Sequence, residues 1–326
     1  MTGELLFVCT SERKGIPKHA VEAVLLRAGH GVESDAHAGP WHRQVSLLDE
    51  AEIETMRAKG LHLNPGAFGE NLVVRGLDLG GLGIGSRLRV GEAELEITQI
   101  GKVCHTRCAI YTRSGDCIMP RAGLFARVLK GGEARPGLAA SVLDAVPRSV
   151  IQAAVLTVSD RCAAGVTTDT AGPAVAKKLL DELAAHLAWT GVVADKEEVI
   201  AETLKELAGR GLDIILTAGG TGLGPRDVTP EATRAVLDRE APGLAEAMRA
   251  SSARITPHGW LSRGVAGARG ATLIVNLPGS EAGAVENLQA IIATLPHAVR
   301  MLRGDAAHPE LDRRRLSAEP PPEPAG

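Results

Sequence analysis

An apolar run, Asp213-Ile214-Ile215-Leu216-Thr217, leads straight into Ala218-Gly219-Gly220-Thr221-Gly222-Leu223-Gly224-Pro225-Arg226-Asp227 and on to Val228-Thr229-Pro230-Glu231. The first run reads as a buried strand. The last reads as a helix start, with Thr229 as N-cap, Pro230 at the first helical position and Glu231 in the first turn. Four glycines lie between them, so the backbone there can take positive φ and approach a ligand closely. Bare N–H groups in such a loop can cradle a phosphate, and Arg226 can add charge-assisted bonds to it. Asp227 does not suit a phosphate unless a cation lies between them, which points to Mg²⁺. The competing reading of Gly219, Gly220, Thr221 and Gly222 is a flexible turn. No Gly-Lys-Ser/Thr follows, so the loop is not a P-loop, and its glycine spacing is not the dinucleotide fingerprint.

From Val150 onward strands and helices alternate, the pattern of a doubly wound sheet. Gln152–Val158 is an expected strand ending at Ser159-Asp160-Arg161, and a helix is expected from near Pro173 with Val175, Leu179, Leu183 and Leu187 on one face. A short strand is expected over Gly191–Ala194, ending at Asp195, and a helix then carries Val199, Ile200, Leu204 and Leu207. Helices at Thr229–Arg239 and Pro242–Ser252 and a strand at Ala271–Asn276 follow, and Asn276-Leu277-Pro278-Gly279-Ser280 opens a helix from Glu281. Asp160, Asp195, Asp227 with its loop, and Asn276 thus all follow strand ends, which in an open α/β sheet line the ligand crevice. Each alone suits a turn former or cap, but four sequence-distant polar segments share one expected edge.

The chain before residue 147 reads differently, as strands broken by many turns. Ala93–Thr98 alternates apolar and polar, and Leu72–Val74 and Leu88–Val90 are shorter strand candidates. Helices are expected at Asp49–Lys59 and around Gly123–Lys130, within a β-rich barrel or sandwich. Val146-Pro147-Arg148-Ser149 is the expected joint between the halves. Two constellations here can carry chemistry, Asp35-Ala36-His37-Ala38-Gly39-Pro40-Trp41-His42-Arg43-Gln44 and Lys102-Val103-Cys104-His105-Thr106-Arg107-Cys108. Cys104 and Cys108, with His37, His42 or His105, have a spacing that suits one metal, though a second Cys-x-x-Cys pair is missing. Small buried thiols and hydrogen-bonded histidines are the plainer alternative. The third is a reactive thiolate at Cys104, since Lys102, His105 and Arg107 lower a thiol pKa.

Bulk properties exclude several classes. A chain of 326 residues suggests about two domains. The formal net charge of −3 and 2% aromatic content speak against nucleic acid and against an anionic membrane as partners. No apolar run is long enough for a bilayer, and Leu5-Leu6-Phe7-Val8-Cys9 lacks the basic lead-in of a signal peptide. Five cysteines do not read as a disulfide framework, so the cytoplasm is the expected location. Residues 305–326 are proline-rich and charged and are expected to be a disordered tail.

With Ser159-Asp160-Arg161 before it and Asn276-Leu277-Pro278-Gly279-Ser280 after it, the glycine segment closely resembles the Mog-type molybdopterin-binding domain, a family that includes the molybdopterin adenylyltransferases. Residues 35–46, Gly69-Glu70-Asn71-Leu72, Ile84-Gly85-Ser86-Arg87-Leu88 and the Cys104 segment resemble a MOSC domain. The resemblance implies a two-domain α/β protein, with a β-rich MOSC barrel over 1–147 and a three-layer αβα doubly wound sheet over 148–304. It implies Mg²⁺- and ATP-dependent adenylylation of molybdopterin in the second half, with Asp195 and Asp227 as the essential acids that hold Mg²⁺. Ser159, Asp160, Asn276, Pro278, Gly279 and Ser280 would shape the pterin or nucleotide pocket, and Ser262-Arg263 would add a phosphate contact. For the MOSC half it implies a later step at Cys104 involving sulfur or bound molybdenum, with other cofactor-biosynthesis proteins or molybdoenzymes as partners, and a homotrimer through the second half. Two other functions fit the same residues: a non-catalytic protein that binds and delivers the cofactor, and a small-molecule reductase using the MOSC half.

Overall fold

The computed structural model describes residues 2–102 and 109–304. Cys104, His105 and Cys108, and the expected tail at 305–326, lie outside the described residues.

The first half runs β1 (Thr2–Thr10), β2 (His19–Val21), β3 (Val24–Arg27), β4 (Gly31–Val32), β5 (Val45–Asp49), α1 (Glu50–Arg57), β6 (Leu72–Arg75), β7 (Arg87–Val90), β8 (Ala93–Ile100), α2 (Ala109–Ser114), α3 (Met119–Ala122), β9 (Leu124–Lys130), β10 (Gly132–Ala134) and β11 (Ala139–Asp144). Strands β11-β7-β8-β9-β5-β6-β1 are neighbours in that order, and β1 pairs back onto β11, so the sheet closes on itself. Leu5, Leu47, Leu72, Leu88, Leu95 and Ile97 fill its interior. Asp49 caps α1, its carboxylate accepting from the Ala51 N–H at 3.0 Å.

The helix expected around Gly123–Lys130 is strand β9 instead. Its residues pair with β5 on one side and β8 on the other, and Leu124, Phe125, Ala126 and Val128 are buried. A short apolar run carries no periodicity that separates a buried strand from a helix, and the two neighbouring strands decide it.

The second half continues β12 (Gln152–Val158), α4 (Asp160–Ala163), α5 (Ala171–Leu183), β13 (His186–Val193), α6 (Glu197–Gly209), β14 (Ile214–Ala218), α7 (Thr229–Arg234), β15 (Arg239–Glu240), α8 (Pro242–Ala253), β16 (Ala266–Arg269), β17 (Thr272–Leu277), α9 (Glu281–Ile291) and α10 (Leu295–Arg303). The sheet order is β13-β12-β14-β17-β16-β15, parallel across the first four strands and antiparallel at the last two. Ala153, Val155, Ile214 and Leu216 pack against α5, α8, α9 and α10, while Ala154, Leu156 and Ile215 pack against α6 and α7.

Two expectations shift here. β13 starts at His186, so Leu187 belongs to the strand and not to the preceding helix. Helix α7 ends at Arg234, and its cap is Val228, with no side-chain capping bond; Thr229 lies inside the helix.

The halves share a packed seam. Ile84, on the barrel, is 5% exposed and belongs to the same apolar cluster as Ala154, Leu156, Ile200 and Ile215. The Ile100 N–H donates to the Arg210 carbonyl at 2.9 Å. Gly211 takes φ +84°, and a Cβ there would meet the Ile100 carbonyl oxygen at 2.6 Å, so the close approach requires glycine. Arg303 forks onto Asp213 at 2.7 and 2.6 Å and also reaches the carbonyls of Ser149 and Val150, holding the joint against the second sheet.

Because Ile84 fills space in the other half's core, Ile84→Ala should lower the unfolding free energy by about 2–4 kcal/mol. Chemical denaturation checks it; a loss under about 0.5 kcal/mol would show that the seam contributes little.

Candidate functional site at the carboxyl edge of the second sheet

The strand register brings the expected segments together. Val158 lies beside Val193, Thr157 beside Ala218, and Ala218 beside Leu277. Ser159, Asp195, Gly219 and Pro278 therefore leave the sheet on one edge.

Gly219 threads between β12 and β17. It takes φ +115°, and a Cβ would lie 2.2 Å from the Val158 carbonyl oxygen. Its own N–H donates to Leu277 O at 3.1 Å, and a Cβ on Gly279 would stand 3.2 Å from its Cα. The backbone here is packed against backbone on two sides.

Asp160 and Asp195 hold each other reciprocally. The Asp160 N–H donates to Asp195 Oδ2 at 2.6 Å, and the Asp195 N–H donates to Asp160 Oδ1 at 3.0 Å. Arg226 reaches across from the loop to Asp160 Oδ2. Asp227 Oδ2 accepts the Gly224 N–H at 2.8 Å, which tightens the turn. Asp195 Oδ1 and Asp227 Oδ1 are left without a hydrogen-bond partner among the described residues. Burial raises the Asp195 pKa, and the charges of Asp160 and Asp227 add to the rise. Crowded carboxylates with open hard oxygens suit a divalent cation such as Mg²⁺, so the donor set fits that ion.

Other predicted site residues have structural partners. Arg263 donates to the Gly222 carbonyl at 2.6 Å, to the Asp227 carbonyl and to Glu231, while its N–H binds Thr221 O. Its fork braces the glycine loop from below. Asn276 is 1% exposed, donating to Thr217 and Thr233 at 3.0 and 2.9 Å and accepting from Val265 N. It ties three elements behind the loop. Ser159 and Ser280 cap α4 and α9, accepting from the N–H groups of Cys162 and Gly283 at 3.3 Å each. Ser262 Oγ accepts from the Gly264 N–H at 3.4 Å.

At the site, Thr229 departs from its expected role as N-cap. It is fully buried, and its hydroxyl has no hydrogen-bond partner. A Cβ on Gly220 would lie 2.3 Å from that hydroxyl and 3.3 Å from Asp195 Oδ1, so all three meet at one point. The Thr-Pro-Glu pattern alone reads as a cap and gives no sign of this.

In the first half, Asp35 is buried among donors: Lys18 Nζ at 2.7 Å, the Ser11 N–H at 3.1 Å, the His37 N–H at 2.9 Å and Asn71 Nδ2 at 3.2 Å. Burial works against its charge, but hydrogen bonds from His37 and Lys18 hold its carboxyl well below the usual range. Nearby, burial pushes the Cys9 thiol up to about 12, so this sulfur is inert at neutral pH. His37 Nδ1 lies 3.3 Å from Asp35 Oδ1, whereas His42 contacts Gln99 Oε1 at 3.0 Å and Glu206 at 3.6 Å. The two histidines thus have different partners. Among the described residues no group of three or more His, Cys, Asp or Glu is placed to hold a metal ion, and no helix is long and apolar enough to cross a membrane.

The second half is an open α/β protein whose polar groups gather at the carboxyl edge around a glycine loop. Residues 154–297 match a family described as a probable molybdopterin binding domain, and residues 34–162 match the MOSC domain. The latter match runs past the last barrel strand, which ends at Asp144, through β12 and into α4. A molybdopterin adenylyltransferase of Helicobacter pylori is 37% identical over 157 residues, 48% of this chain and 89% of that protein. A molybdenum cofactor biosynthesis bifunctional protein of Synechococcus elongatus is 32% identical over 220 residues, 66% of this chain and 69% of that one. The molybdenum cofactor synthesis protein cinnamon of Drosophila melanogaster is 44% identical over 155 residues, but these make up only 26% of its length. The chain belongs to the molybdopterin adenylyltransferase family of molybdenum cofactor biosynthesis proteins, with a MOSC domain joined to it.

Asp195 is strained electrostatically in the folded state. An acid with a raised folded pKa contributes stability at low pH that is lost as pH rises through that pKa. Asp195→Asn should therefore raise Tm at pH 7, and the gain should shrink as pH falls through the carboxylate range. A Tm deficit that is constant with pH would show that the carboxylate is a structural asset.

Proposed function

We propose that the second half adenylylates molybdopterin with ATP and Mg²⁺. A terminal phosphate oxygen of molybdopterin attacks the α-phosphorus of ATP, a new P–O–P bond forms, and the bond to the β-phosphate breaks to release pyrophosphate. No protein nucleophile is needed, so the protein's part is positioning and charge neutralisation. The carrying observation is that Asp195 and Asp227 each keep one open carboxylate oxygen beside the glycine loop. These two would hold Mg²⁺, which supplies positive charge to the phosphates when bound. The Gly219 N–H, expected on a phosphate, is committed to Leu277 O. The N–H groups of Gly220, Thr221 and Gly222 would bind phosphate, and exposed Arg226, now paired with Asp160, would swing onto it. Arg263, Glu231 and Asn276 keep the loop rigid. Ser159, Asp160, Ser262, Pro278, Gly279 and Ser280 border the same crevice.

The reading extends to a three-layer αβα arrangement for 148–304 and to a homotrimer through that half. Exposed Ile255, Trp260 and Leu261, at 63%, 63% and 53% exposure, provide an apolar face for such an assembly. We assign the first half, 1–147, to a later molybdenum or sulfur step at Cys104 with His37, His42 and His105. Cys104→Ser should abolish molybdenum retention measured by elemental analysis while leaving adenylylation intact; loss of both would join the two activities in one site.

The second reading, binding and delivery without chemistry, needs no pair of acids beside bound anions. Asp227 separates the two. Asp227→Ala should cost about 3–4 kcal/mol of transition-state stabilisation, on the order of a few hundred-fold in kcat, with a much smaller change in pterin Kd. Asp227→Asn preserves the acceptor for Gly224 N and removes the charge. Pyrophosphate release at saturating Mg²⁺ is the measurement, and near-normal turnover in Asp227→Asn would reduce Asp227 to a turn former.

A further inference from the structure

One cavity is set apart from the glycine loop. It lies in the seam between the halves, with a volume of 760 Å³, and residues of both halves line it. The barrel contributes Trp41, His42, Gln44, Glu96, Thr98 and Arg127, and the second half contributes Trp189, Glu206 and Arg210. A void of this size falls in the range of small-molecule sites, about 300–1,000 Å³.

Its place in the fold separates it from the proposed adenylylation site. Trp189 lies midway along β13, and Asp195 lies two residues past its end, a path of six residues that spans at most about 20 Å. Glu206 and Arg210 lie at the far end of α6 from Asp195.

The lining has a definite chemistry. Two indoles offer flat π faces. Trp41 is fixed by its Nε1–H, which donates to His37 O at 2.8 Å, and Arg43 stacks 4.6 Å from its ring centre. Trp189 is laid along its strand over Gly191, where a Cβ would come 2.4 Å from the indole. Charge is balanced in pairs, Arg127 with Glu96 at 2.9 Å and Arg210 with Glu206 at 2.6 Å. Arg43 adds a further positive charge beside the pocket. Its Nε and that of Arg210 are buried with no hydrogen-bond partner, so cationic groups have been desolvated here without full compensation. Two arginine forks suit a phosphate, and two carboxylates suit ring N–H and amino groups.

We propose that the seam cavity is a second ligand site, which takes a planar nitrogen heterocycle carrying a phosphate. A nucleotide and a pterin phosphate share that chemistry. The site requires both halves and shares His42 with the site assigned to the first half. It stands or falls independently of the adenylylation reading, which rests on the opposite sheet edge.

Calorimetric titration of the full-length protein with AMP, and separately with a pterin monophosphate, tests it. The same titrations are run on Arg226→Glu, which puts a negative charge on the exposed glycine loop. At least one ligand is expected to bind Arg226→Glu, and whichever binds identifies the source. That event should weaken tenfold or more in both Arg210→Gln and Arg127→Gln, which sit on opposite halves, so a folding defect in one does not decide the result. It should also quench tryptophan fluorescence, with the quench reduced in Trp189→Phe. Failure of both ligands to bind Arg226→Glu overturns the proposal, as does binding that neither arginine substitution weakens. Pyrophosphate release measured on Arg210→Gln reports separately on the carboxyl-edge site.

Discussion

The contact on which the second half depends is backbone against backbone at Gly219. The glycine loop can leave β14 and pass between the ends of β12 and β17 only because nothing projects from that Cα: a single methyl would come 2.2 Å from the Val158 carbonyl. The close fit puts the loop's amide groups level with Ser159, Asp195 and Pro278, and everything at the edge is arranged around it. Arg263 then grips the loop's carbonyls at Gly222 and Asp227. The reciprocal bonds of Asp160 and Asp195 lock two neighbouring strand exits to each other in the same way. Rigidity bought by such contacts is what a site needs when its chemistry consists of holding charges still.

Much of this was legible because it is local. A strand, a glycine loop and a Pro-Glu helix start follow each other within twenty residues, and strand ends at Ser159, Asp195 and Asn276 predict a shared edge from topology alone. What escaped was decided by tertiary partners. Leu124–Lys130 has no intrinsic pattern that excludes a helix, and only pairing with β5 and β8 makes it a strand. The residue types of Arg263 and Asn276 suit ligand contacts. Whether a guanidinium faces a phosphate or the underside of a loop is set by neighbours 32–41 residues away in sequence. Thr229 looked like a cap for the same reason: its hydroxyl turned inward, where Gly220 leaves it room.

The seam changes what the two halves can be. Ile84 from the barrel completes an apolar cluster of the second sheet, and Gly211 admits a backbone contact that only glycine permits. Helix α6 begins beside Asp195 and ends at the seam, so one rigid element touches both the carboxyl edge and the barrel. The expected joint at Val146–Ser149 is accordingly a clamped corner, with Arg303 holding its carbonyls. The two halves are held by shared structure across the seam.

The central claim is that the carboxyl edge carries out phosphoryl chemistry and does more than bind. Transfer of label from ATP radiolabelled at the α-phosphate, with molybdopterin and Mg²⁺ present, tests this most directly. The account predicts that label appears on the pterin in a one-to-one ratio with pyrophosphate released. Stoichiometric pterin binding with no label transferred, or label released only as free AMP, would contradict it.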